Sequence, residues 1–333
     1  MKILVVDDRA NEKDHPRKVL LEAIKEKESI EYDFIEPVED QLKGKINRIN
    51  DYSLIIIDYK FDRIRSSLFK AGDSLYSVFR SRTNSTPIYL VSVITSKTNQ
   101  IGEFDLFIKD EFLANHSAFG LDIKDHKKLK SCTTSSDFID LLLSPDDIEE
   151  DLGLMLKPIF SKPNNTCDNE GSEVSISEGI NILLFRWLMQ SLLKKEGPLV
   201  SMGGAALMLG ITEGHFQTHL DKFEDAKYQG LFHESVEDRW WVSLIEDIAL
   251  SWDDPESLYS TLSFKEASSI LLEAKESNYS TCTLCGERYP DSLGIISGDD
   301  TKKLYPVHTA CSEFQDSIEK EPFFKNPRLI ESS

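Results

Sequence analysis

Positive charge is what this sequence most lacks for its size: 38 Lys and Arg stand against 58 Asp and Glu, a net charge of −20. Such a chain has no general basic face for holding nucleic-acid phosphates or an anionic membrane non-specifically. Long apolar runs are missing too, and none reaches the ~18 residues that suggest a membrane-spanning helix. The opening residues, MKILVVDD, lack the basic start, long apolar segment and small-residue cleavage site of a secretory signal. Cysteine is scarce, five in 333 residues, so no disulfide scaffold is expected. These absences predict a soluble, cytoplasmic protein in a reducing compartment, with roughly two or three domains at about 100–200 residues each.

What is present begins with regular alternation. KILVVDD, EYDFIEP, SLIIID, TPIYLVSV and EFDLFIK read as five strands, separated by amphipathic helical stretches such as PRKVLLEAIKEKES and DSLYSVFRSR. Pro16 suits the first turn of the first helix. The continuous run Leu54–Ile57 is the pattern of a strand buried on both faces. Strands alternating with helices predict an α/β domain over residues 1–125: a doubly wound, five-stranded parallel sheet with right-handed crossovers. Ligands then bind beyond the carboxyl ends of the strands, near the reversal of strand order.

Those ends carry Asp7 and Asp8 (first strand), Asp58 (third), Ser92 (fourth) and Lys109 (fifth). Three carboxylates converging on one rim repel each other unless a cation sits among them. A hard oxygen site with open positions suits Mg²⁺. Acids, a metal, a hydroxyl and a lysine together make a phosphoryl-transfer site, where positioning and charge stabilisation do most of the work. A carboxylate is also a competent covalent nucleophile. A protein-contact shell that merely keeps an acid after a strand is the alternative.

On these residues, positions 1 to about 125 resemble the receiver domain of two-component response regulators, a flavodoxin-like fold. ILVVDD matches the acidic pair, LIIID the phosphoacceptor, TPIYLVS the hydroxyl and FDLFIK the lysine. The resemblance implies that Asp58 accepts phosphoryl from a sensor histidine kinase or another phosphodonor. It implies Mg²⁺ held by Asp7, Asp8, Asp58 and the backbone carbonyl of Lys60, with Ser92 and Lys109 on the phosphoryl group. Phe107 becomes the switch aromatic, and Gly72 the glycine before the third helix. The protein is then a phosphoacceptor rather than an enzyme in the ordinary sense, though a receiver catalyses its own phosphorylation and dephosphorylation. Two positions depart from the family: Asp110 replaces the usual proline, and the segment from Tyr59 to Ala71 is long and charged.

Residues 126–176 read as a helical connector and polar linker, which either continues the receiver or joins two copies in a homodimer. Residues 177–252 resemble a winged helix. GINILLFRWLMQSLLKK is a buried helix, the stretch 205–222 has the helix-turn-helix pattern with Thr212 as a cap, and AKYQGLFHESVEDRWWVS supplies a wing. The candidate reading face carries Glu213, His215, Gln217, Thr218, His219, Asp221 and Lys222. Between 181 and 250, six Lys and Arg face ten Asp and Glu, which argues against duplex DNA and for a protein partner.

Residues 253–333 form a mainly helical and metal-binding module. CTLC at 282–285 and HTAC at 308–311 pair Cys282, Cys285, His308 and Cys311 at the spacing of a closed, structural zinc site. Cys132 and Cys167 read as plain thiols. The combined expectation is a phosphorelay signalling protein with a protein-interaction output and no membrane contact. Its rivals are a DNA-binding transcription regulator and a phosphoryl sink within a bacterial defence system.

Overall fold

In a computed structural model, residues 1–333 are described except 64–68, 70, 84, 93–104, 110–112, 114, 133, 161–176, 253–260, 298–302, 314–322 and 331–333. The side chains of residues 107, 109, 116 and 177–179 also lie outside the description. The chain divides into two compact units, one of Met1–Phe138 with Leu156–Met189 and the other of Ile139–Met155 with Gln190–Ser333.

The first unit alternates β1 (Lys2–Val6), α1 (Pro16–Lys25), β2 (Glu31–Ile35), α2 (Glu39–Ile46), β3 (Leu54–Asp58), α3 (Gly72–Arg80), β4 (Ile88–Ser92), β5 (Leu106–Lys109) and α4 (His116–Ser131). The sheet runs in the order β2-β1-β3-β4-β5 with every pairing parallel. Strands β1 to β4 are described along their whole length. β5 lies beside β4, pairing Ser92 with Lys109. This arrangement is compatible with a flavodoxin-like fold.

Helices cover both faces of the sheet, as its two-sided apolar strands require. Leu4, Val6, Ile55, Ile57, Ile88 and Leu90 share one core with Leu42 of α2 and Leu75, Tyr76 and Phe79 of α3. The alternate residues Ile3, Val5, Leu54, Ile56, Tyr89 and Val91 are equally buried on the opposite face. There the Tyr89 hydroxyl donates to the Asp122 carboxylate of α4 at 3.0 Å and lies 2.7 Å from His126 Nε2. Burial pushes His126 down to about 3, so its imidazole is neutral.

Helices α5 (Ser135–Leu142), α6 (Glu149–Phe160) and α7 (Ser177–Trp187) follow. Composition had grouped residues 177–187 with the next module, and the structure assigns them to the first unit. The reason is visible in the contacts. Phe185 stacks on Tyr89 with ring centroids 6.0 Å apart, and Arg186 donates from Nε to Asp105 Oδ1 at 2.7 Å. Asp105 is fully buried, and it also accepts from Arg80 and from the backbone amide of Ile88. The core likewise extends past residue 125, because α4 runs to Ser131 and Phe138 is fully buried.

The second unit holds a mainly helical region followed by a small sheet. Strand β6 (Leu199–Val200) pairs antiparallel with β7 (Trp240–Trp241), and helices α8 (Met202–Met208), α9 (Glu213–Gln217), α10 (Val242–Leu250) and α11 (Phe264–Leu271) accompany them. Their core gathers Ala205, Leu209, Phe216, Phe223, Trp240, Ile245 and Leu272. Gly210, at φ +70°, makes the turn between α8 and α9, and the Thr212 hydroxyl caps α9 by accepting the His215 amide.

The second helix expected for a helix-turn-helix over 205–222 is shorter than the sequence predicts. α9 has five residues, and the chain passes into 3₁₀ turns over Leu220–Ala226 where a longer helix was expected. The expected wing is likewise reduced to an isolated bridge between Lys227 and Trp240, with the 3₁₀ turn His233–Ser235 between them. Strands β8 (Ser292–Ile296), β9 (Tyr305–Val307) and β10 (Arg328–Ile330) then form a separate sheet in the order β10-β8-β9.

No helix among the described residues is long and apolar enough to cross a membrane.

Candidate functional sites

At the carboxyl ends of β1 and β3, Asp7, Asp8 and Asp58 place carboxylate oxygens within 4.8 Å of one another. Asp7 and Asp8 are buried, and the Asp58 side chain is 18 % exposed. Ser92 is buried at the end of β4, one residue beyond Val91, the register partner of Asp58. Lys109 ends β5 beside Ser92. The side chains of Lys109 and Phe107, and the whole of Asp110, lie outside the described residues. Lys60 follows β3 and bridges to Ala71, closing the base of the charged loop. Gly72 opens α3 directly behind β3 and donates its amide to the carbonyl of Tyr59 at 2.9 Å.

Four further residues complete the rim, and sequence reading did not single out any of them. His15 caps α1, its ring Nδ1 accepting the Arg17 amide at 3.2 Å. The proton is therefore on Nε2, which points at Asp7 Oδ2 from 3.3 Å. The Arg17 guanidinium donates to Asp7 Oδ2 at 2.6 Å and to Asp58 Oδ1 at 2.9 Å. The backbone amide of Arg63 reaches Asp8 Oδ2 at 2.8 Å, and that of Arg9 reaches Asp7 Oδ1 at 2.9 Å. The sequence signal was a His-Pro-Arg step one loop after the acid pair, opening a helix whose first turn faces the strand ends.

The electrostatics of the two bridged acids diverge. Burial pushes the Asp58 carboxyl up to about 6; Arg17 opposes this, while the charges of Asp7 and Asp8 add to it. Burial also acts upward on Asp7. There the His15 hydrogen bond, the Arg17 charge and the Arg9 amide outweigh it and hold the acid below its usual value.

The donor set is all carboxylate, which suits a hard divalent ion such as Mg²⁺ with metal–oxygen distances of about 2.1 Å. Asp7, Asp8 and Asp58 fit that ion in kind and in spacing. The guanidinium already engages two of the three.

The second cluster belongs to the C-terminal sheet. Ligand atoms of Cys282, Cys285, His308 and Cys311 all lie within 4.8 Å of one another. In a tetrahedral zinc site, bonds of about 2.0–2.3 Å bring ligand atoms comparably close. The CTLCG turn is closed by the Gly286 amide donating to the Cys282 carbonyl at 2.9 Å, with Gly286 at φ +77°. A 3₁₀ turn after β9 carries Cys311 back toward His308. His308 Nε2 lies 3.2 Å from the Arg288 carbonyl, an acceptor that fixes the proton there and leaves Nδ1, 3.4 Å from Cys285 Sγ, as the metal-facing nitrogen.

Burial alone raises the Cys282 thiol, but the amides of Cys285, His308 and Leu284 aimed at its sulfur bring it down to about 6. The hydrogen bond with Cys285, together with desolvation and the neighbouring sulfurs, pushes Cys311 up to about 11. Thiolates packed this closely need a cation to be charged together. This group can hold a metal ion such as zinc, and its four protein ligands suit a structural centre. Cys132 is a buried thiol pushed up to about 11 by burial, and Cys167 lies outside the described residues.

The candidate DNA-reading face offers little for phosphates. His215 Nε2 sits 2.9 Å from the Leu272 carbonyl, and its ring meets His219 edge-on. Lys222 lies over the Trp252 ring. No family model matches this chain, and no match was found among curated proteins.

Proposed function

We propose that the chain is a receiver-type phosphoacceptor signalling protein. In this reading Asp58 takes a phosphoryl group and the second unit carries the output to a protein partner. One observation carries it: Asp7, Asp8 and Asp58 converge at the carboxyl ends of adjacent strands, with Ser92 and Lys109 ending the next two strands in register. An Asp58 oxygen attacks the phosphorus of a phosphohistidine or small phosphodonor. A P–O bond forms, the donor's bond to phosphorus breaks, and the leaving group takes up a proton. Ser92 and Lys109 hold the transferred group. Asp7, Asp8 and Asp58 would hold Mg²⁺, which when bound would offset the charge brought by the phosphoryl oxygens.

The output reading rests on the acidic balance of residues 181–250 and on a helix, Glu213–Gln217, too short to fill a major groove. The Cys₃His group serves as a structural zinc centre for the C-terminal sheet.

Intact-mass measurement of wild type and Asp58→Asn after incubation with a small phosphodonor and Mg²⁺ tests the acceptor. Wild type gains one phosphoryl group and the variant none. An unmodified wild type, or equal labelling of both, overturns the reading.

A further inference from the structure

We propose that Arg17 is a built-in cation of the acidic rim: its guanidinium takes the charge-balancing place between Asp7 and Asp58 that a divalent ion would otherwise fill, so metal loading requires its departure from Asp58. The proposal deepens the phosphoacceptor reading and rests on it for its biological use.

The Arg17 side chain is only 7 % exposed and is fixed at the start of α1, where its amide is tied to the His15 ring. One nitrogen of its fork bonds a carboxylate on the loop after β1, and another bonds a carboxylate ending β3. A planar fork of this kind bridges two acids with directed hydrogen bonds, which a lysine ammonium matches poorly. Other contacts also hold the rim: Asp7 Oδ1 takes the Arg9 amide, Asp7 Oδ2 also faces His15 Nε2, and Asp8 Oδ2 takes the Arg63 amide.

A dication entering this cluster meets a buried positive charge a few ångströms away. At that range, partly shielded from water, like charges repel strongly. Guanidinium and divalent ion therefore compete for Asp7 Oδ2 and Asp58 Oδ1. The metal-free protein keeps a stable rim, and the Mg²⁺-loaded protein has Arg17 turned away. The exchange gives the site two discrete arrangements, selected by the ion.

The test uses the full chain as wild type, Arg17→Met and Arg17→Lys. Mg²⁺ affinity is measured by calorimetry and, with Mn²⁺ as the probe, by the paramagnetic resonance of free ion. Arg17→Met should bind either ion roughly tenfold tighter or better, with Arg17→Lys between it and wild type. Without metal, Arg17→Met should melt below wild type and regain more of its stability on adding Mg²⁺. Equal or weaker binding by a folded Arg17→Met overturns the proposal.

A second measurement needs no variant. The Arg17 side-chain resonances of ¹⁵N-labelled wild type should change as Mg²⁺ fills the site, and resonances that stay fixed at saturation overturn it. Phosphoryl labelling of Asp58 is scored separately. A chain that exchanges Arg17 for Mg²⁺ but never accepts phosphoryl defeats the acceptor reading alone. A chain labelled on Asp58, with all three proteins equal in metal affinity, defeats this proposal alone.

Discussion

A Cβ on Gly72 would stand 2.2 Å from the carbonyl oxygen of Asp58 and 3.0 Å from Ile57 Cγ2 and Leu90 Cδ2. The first turn of α3 thus leans on the backbone of β3, with no room for a side chain. Because the nearest obstacle is backbone, Gly72→Ala must displace either the helix or the end of β3. Overpacking usually costs about 1–3 kcal/mol, and a backbone clash belongs at the upper end. Chemical denaturation should show that loss, and phosphoryl labelling of Asp58 should slow in the folded variant. A change within about 0.5 kcal/mol, the range of ordinary surface substitutions, would mean that the helix yields freely.

Asp58 also governs a pH dependence. Its folded value, raised to about 6, lies above that of an unfolded aspartate, so the folded state binds more protons between pH ~4 and ~6. The stability contribution is fully present below the unfolded value and is lost as pH rises through about 6. Asp58→Asn removes that titration. The variant should therefore gain on wild type as pH rises from 4 to 6, by on the order of 1–3 kcal/mol, and the gap should level off above about pH 7. Thermal or urea unfolding of both proteins across that range measures it. A constant gap would place the Asp58 titration elsewhere.

The Asp105 carboxylate is shared by Arg80 and Arg186 at full burial. Removing one side of a buried pair typically costs about 3–5 kcal/mol. Asp105→Ala should lose stability on that scale and free the amides of Leu184 and Phe185 for hydrogen exchange, because α7 loses its ionic anchor. Unchanged protection of those amides would leave the apolar contact of Phe185 with Tyr89 as the sufficient anchor.

Metal removal should act on one part of the chain only. The buried apolar cluster beside the Cys₃His group contains Cys282, Val307 and Ile330, with Ile296 and Tyr305 packed against it. So small a core would draw most of its folding energy from an ion bound there. Stripping metal with a chelator, or Cys285→Ser, should raise hydrogen exchange from residue 280 onward and leave β1 to β4 protected. Elemental analysis should find one zinc per chain. A metal content near zero, with that sheet still protected, would remove the zinc centre.

Local pattern made much of this legible. Leu54–Ile57 and Ile88–Val91 are uninterrupted apolar runs, and uninterrupted burial is what the strands show. The two cysteine-bearing triplet spacings brought four ligands together because each half closes within a single turn. Arg17 could not be read this way. Its link to Asp58 spans 41 positions and depends on how α1 returns across the strand ends. The helix carrying Phe185 and Arg186 announced that it was buried, but not against what, since its partners Tyr89 and Asp105 lie far back in the chain. The second helix of the turn motif was overextended in prediction. At Thr218 the hydroxyl turns back to the His215 carbonyl at 2.7 Å, a local bond that competes with helix continuation.

The covalent path between the two units has a consequence for synthesis. The first unit is built from Met1–Phe138 and Leu156–Met189, with Ile139–Met155 belonging to the other, so the chain crosses between them three times. Domains generally fold as units, amino-terminal first, as they leave the ribosome. This one cannot close when its last strand emerges. Until residue 186 is outside the exit tunnel, Asp105 has only Arg80 for a guanidinium partner and Tyr89 lacks the Phe185 ring. A fragment cut after residue 125, where the strand-and-helix alternation ends, retains every acid of the rim but keeps that apolar wall open. The shortest autonomous form of the first unit should therefore extend to about residue 189, and it carries with it a stretch whose own folding partner is still being made.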